Sequence, residues 1–73
     1  MASELRQKIL NSFMEHAEGH ISKHKANVEV YLENPVGVGE HPDIIEAIEK
    51  EMNEIAKYDD LKEMTVKYFV DKT

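Results

Sequence analysis

A chain of 73 residues has room for one domain, and at that size folding hides only about 60% of the surface the unfolded chain exposes, so any core is thin. It contains no cysteine, which excludes disulfide staples and leaves a partner subunit, or a metal held by His and carboxylates, as the support a small scaffold needs. The net charge of −6 argues against a nucleic-acid partner, because phosphate backbones are held by clustered Lys and Arg.

The N-terminus, Met1-Ala2-Ser3-Glu4-Leu5-Arg6, lacks the basic segment and apolar block of a signal peptide. No apolar run approaches the ~18 residues of a membrane span. The absence of cysteine suits a reducing cytoplasm, and no membrane partner is expected.

From Leu5 to Leu32 the apolar residues Leu5, Ile9, Leu10, Phe13, Met14, Ala17, Ile21, Val28, Tyr31 and Leu32 recur at helical spacing and form one broad face. Ser3 is a candidate N-cap, and Glu4 suits the positive end of the helix dipole. The helix is expected over about residues 4–33. His16, His20 and His24 are spaced i, i+4, i+8 on or beside the apolar face. Such a spacing can present two imidazoles to one metal, which makes these three weak metal candidates. There is no His-Glu-x-x-His or Glu-x-x-His pattern to strengthen that reading, so no cofactor is assigned. The plainer reading is a set of core-edge histidines bonded to carboxylates of another segment; a pH-sensitive switch is the third.

Ser12, Gly19 and Ala26 recur every seven residues on the side away from that face, with Val30 extending the line. Small residues in a row let a second helix approach closely, so they are candidate interface residues; the alternative is an exposed face that tolerates one glycine.

Asn34 to Asp43 holds both prolines and two of the three glycines, which marks a loop over about residues 34–42. Val36 and Val38 are expected to tuck over the end of the helices, while Glu40 and His41 stay exposed. Gly37-Val38-Gly39 is not read as a phosphate cradle, since no strand precedes it and Glu40 and Asp43 repel anions.

The second helix is expected over about residues 43–70, opened by the capping box Asp43-Ile44-Ile45-Glu46. Its apolar residues follow a near-heptad through Ile45, Ile48, Met52, Ile55, Val66 and Phe69, with Asp59 and Lys62 in the same seam. A break near Asp59-Asp60 is the rival, because Asp60-Leu61-Lys62-Glu63 matches a capping box again. A continuous helix is preferred, since neither Gly nor Pro occurs beyond Asp43. Leu61, Met64 and Tyr68 then form a second apolar stripe that one hairpin cannot cover, and they join the candidate interface. Acid dominates residues 40–54, which reads as a solvated face or a contact for a basic partner.

Arms of about 30 residues joined by a short connection favour antiparallel packing. If Glu33 lies level with Pro42, His24 falls near Glu51, His20 near Ile55 and His16 near Asp59, so that histidines face acids. The expected fold is all-α, an antiparallel helical hairpin of two long helices that dimerises into a four-helix bundle. No enzyme is expected. Cysteine is absent, and Ser3, Ser12 and Ser22 sit at helical positions without a strained nucleophile turn.

The run from Val28 to Glu49, VEVYLENPVGVGEHPDIIEAIE, resembles small uncharacterised proteins encoded by T4-like marine phages of cyanobacteria. Ile55-Ala56-Lys57-Tyr58-Asp59-Asp60 and Lys67-Tyr68-Phe69 are similar to the same group. The resemblance implies a phage context, as a virion accessory or a small factor in the infected host, and carries over no site residues. The function expected is a self-associating helical interaction or structural protein with an unidentified protein partner. A His-based metal-binding or pH-sensing protein is the alternative.

Overall fold

The first helix starts where a side chain supplies what the backbone lacks: Ser3 Oγ accepts from Arg6 N at 2.9 Å, satisfying one of the amides that have no partner in the first turn. The computed structural model describes residues 3–33 and 43–70. Helix α1 spans Glu4–Glu33 and α2 spans Ile44–Phe69. Asp43 caps α2 by accepting from Glu46 N at 2.9 Å, with its own backbone extended (φ −114°, ψ 92°). The Glu46 carboxylate lies 3.7 Å from Lys50 Nζ one turn on. Helix α2 continues without a break past Asp59-Asp60. With no Gly or Pro there, nothing outweighs the loss of backbone bonds a break costs. The loop expected over residues 34–42, with its prolines, glycines, Val36 and Val38, lies outside the described residues.

The two helices pack against each other as an antiparallel hairpin. Two contacts fix the register. His24 meets Glu51, and, 18 residues away along each helix, Arg6 donates to the Phe69 carbonyl at 2.6 Å. The chain is a rod of 55 × 17 × 15 Å with a radius of gyration of 16.5 Å, against about 11 Å for a globule of this length.

On α1 the residues turned towards α2 are Leu10, Met14, Ala17, Ile21, His24, Val28 and Tyr31, all buried or half-buried. They alternate steps of four and three, the spacing that keeps one stripe facing a partner helix. On α2 the stripe is Ile44, Ala47, Glu51, Glu54, Tyr58, Leu61 and Thr65. This corrects the heptad read from the sequence by one residue. Ile48, Ile55 and Lys62 sit half-buried at the edge of the seam, whereas Ile45, Met52, Asp59, Val66 and Phe69 are exposed. The observed line supplies a carboxylate to buried His24 and leaves Asp59 in water; the other would have desolvated Asp59.

The core is thin. Ala17 (0% exposed) and Ala47 (5%) are the buried hydrophobic residues among those described, and no large side chain there is fully buried. Small residues at these points let the backbones come close, but each contributes little apolar area.

Candidate interaction surface

Midway along the hairpin, His24 and Glu51 lie in the seam with 10% and 19% of their side-chain surface exposed. His24 Nδ1 is 2.8 Å from Glu51 Oε1, and Asn27 Nδ2 donates to the same oxygen at 2.8 Å. An ionised carboxylate only accepts, so His24 Nδ1 carries the proton of this bond. The bond from His24, then that from Asn27, holds the Glu51 carboxyl below its ordinary pKa, against the opposing effect of desolvation.

One turn towards the open end, the His20 ring stacks on Tyr58 from the other helix, with centroids 4.4 Å apart and planes 7° from parallel. His16 meets the same Tyr58 edge-on at 6.1 Å and His20 edge-on at 4.6 Å. Lys57 Nζ lies 5.0 Å from the Tyr58 centroid. Loss of hydration, and then the positive potential of His16, Lys23, His24 and Lys57, lowers the His20 pKa. Of the expected neighbours, Glu51 for His24, Ile55 for His20 and Asp59 for His16, the first is found. His20 and His16 instead meet Tyr58, because the aromatic ring occupies the seam position between their levels. Among the described residues no group of three or more His, Asp or Glu is placed to hold a metal ion.

The open end, where the start of α1 lies beside the end of α2, carries an apolar groove of about 400 Å³ lined by Ile9, Leu10, Phe13, Leu61, Met64, Thr65 and Phe69. A second hollow of about 340 Å³, lined by Ser3, Leu5, Arg6, Ile9, Leu10 and Phe69, continues it. Thr65 Oγ1 donates to the Leu61 carbonyl of its own helix at 2.8 Å, so its hydroxyl is already bonded and the groove presents carbon.

The candidates from the sequence divide. Leu61 is half-buried and Met64 is 43% exposed, and both line the groove. Tyr68 is 61% exposed beside it, in edge contact with Phe69 at 6.4 Å and with Lys67 Nζ 5.2 Å from its ring. Ser12, Gly19 and Ala26 are all exposed, and none of them lines either hollow. A Cβ built on Gly19 meets nothing within 4 Å. Sequence reasoning placed Ile9 and Phe13 in the intramolecular stripe, but they are 59% and 37% exposed and form one wall of the groove. Their position at the rim of the stripe is the signal that could have shown this. Phe69, read as a seam residue of α2, forms the end of the groove instead.

No family model, curated protein or solved structure matches this chain. No helix among the described residues is long and apolar enough to cross a membrane.

Proposed function

We propose that this protein is a self-associating helical interaction module, a hairpin that pairs with a second copy into a four-helix bundle and acts by binding rather than by catalysis. The observation that carries the reading is the apolar surface left uncovered. Among the described residues twelve large hydrophobic residues are exposed, from Ile45 at 73% to Phe13 at 37%, while the buried hydrophobic residues are two alanines. The accessible surface is 5850 Å², whereas a compact monomer of 8.4 kDa exposes about 4,600 Å². The excess, roughly 1,200 Å² of polar and apolar surface together, is what a rod two helices wide exposes beyond a globule.

The net charge of −6 and the lack of a Lys- and Arg-rich face support a protein partner over nucleic acid or an anionic bilayer. The resemblance of residues 28–49 to phage-encoded proteins supports a role in the infected host cell or in the virion. Sedimentation equilibrium tests the central claim. A dimer mass is expected at tens of micromolar, and a monomer mass throughout the accessible range would overturn it.

A second reading, a pH-responsive hairpin, is supported by the histidine ladder against Tyr58 and by the bond between His24 and Glu51 in the seam.

A further inference from the structure

Apolar surface and charge are segregated along this rod. Of the twelve exposed large hydrophobic residues, eight lie in the open half, residues 3–16 and 58–70; the other four are Val30, Leu32, Ile45 and Met52. The formal charges of the open half nearly cancel, five acids against four bases. Between residues 17 and 57 there are nine acids against four lysines, which places nearly all of the net −6 in the half where the chain passes from α1 to α2, the elbow half.

We propose that the occupant of the open-end groove is the same groove of a second copy, with the open halves overlapped and the two elbows pointing away from each other. This rests on the self-association proposed above and says where the contact lies. Three observations carry it. The groove is apolar, with Ile9, Phe13, Met64 and Phe69 exposed along it, and its hydroxyl-bearing residue, Thr65, already bonded within its own helix. Eight of the twelve exposed large hydrophobic side chains among the described residues lie in this half, so overlap here covers more apolar surface than overlap elsewhere. The charge distribution opposes parallel overlap, which brings two acidic elbow halves together, whereas overlap of the near-neutral open halves sets the acidic halves far apart. A two-fold axis at the groove makes the contact isologous, Met64 of each copy seated near Phe13 of the other, so association closes at two chains.

Spin-label distances between copies test this geometry without touching the groove. The chain has no cysteine, so Glu49→Cys and Glu63→Cys, both at exposed positions, each take a single label. With the axis near the level of Met64, the labels at 63 lie at nearly the same level along the rod, while those at 49 lie about 45 Å apart along it at 1.5 Å per residue. The 63 pair is therefore expected to be the closer one. Full antiparallel overlap puts the axis near residue 56 and makes the two distances about equal, roughly 20 Å along the rod, and parallel overlap makes both short; either result overturns the proposed seat. Met64→Glu, at a position already 43% exposed, is expected to weaken the dimer at least about tenfold with its helical circular dichroism unchanged. A Met64→Glu protein that still dimerises as wild type removes the groove as the seat while leaving self-association standing. A wild-type monomer removes both.

Discussion

His24 can lie in the seam because its proton-bearing nitrogen has an acceptor there. Without Glu51 at 2.8 Å the imidazole would be desolvated with nothing in exchange. His24→Ala leaves Glu51 with Asn27 and a small void, and is expected to lower the unfolding free energy by roughly 1–3 kcal/mol in urea titrations near pH 7. The pH dependence follows from two shifts. The native Glu51 pKa is depressed, so its contribution is present above the unfolded value and is lost as pH falls through the lower native one, on the acid side of about 4.5. The native His20 pKa is also depressed, so the unfolded chain takes up that proton first. Stability is then full above about pH 6.5 and declines as pH falls towards the native value. Melting followed from pH 8 to pH 3 should show both limbs, with His20→Ala flattening the upper and His24→Ala the lower. A profile that neither variant changes would contradict this assignment.

For the helices, the caps were legible and the facing stripe of α2 was not. Ser3 and Asp43 cap through local bonds three residues long, which depend on sequence neighbours alone. The stripe of α2 depends on what α1 offers it. Read alone, Ile45, Met52 and Val66 outrank Glu51 and Thr65 as seam residues, yet Ala17 and His24 on α1 select the small and acidic positions. Along the back of α1, the line Ser12, Gly19, Ala26 now serves as a control surface. Because a methyl on Gly19 meets open space, Gly19→Ala is expected to stabilise the fold by about 1 kcal/mol with no loss of association. Gly19→Ala protein that dissociates instead would show that the small-residue line, not the groove, is the contact.

At the scale of the molecule, a rod two helices wide hides too little apolar surface to be strongly stable by itself. If a second copy supplies the missing burial, the folded state gains stability by mass action. The melting temperature should therefore rise by several degrees as protein concentration is raised a hundredfold. Thermal scans at a few micromolar and a few hundred micromolar check this; superimposable transitions would argue for a monomeric hairpin.

The all-helical class, the two long arms and the pairing of His24 with Glu51 were determined by the sequence, because helical periodicity, caps and the spacing around the prolines are carried by neighbours within a few residues or by counting along equal arms. Which face of α2 turns inward, that Tyr58 receives His16 and His20, and that Ile9 and Phe13 remain uncovered in a groove were decided by the tertiary structure alone. The reason is that two competing stripes on one helix differ little in apolar content. The choice between them is made by the partner helix, through close approach at Ala17 and Ala47 and one buried histidine that requires a carboxylate.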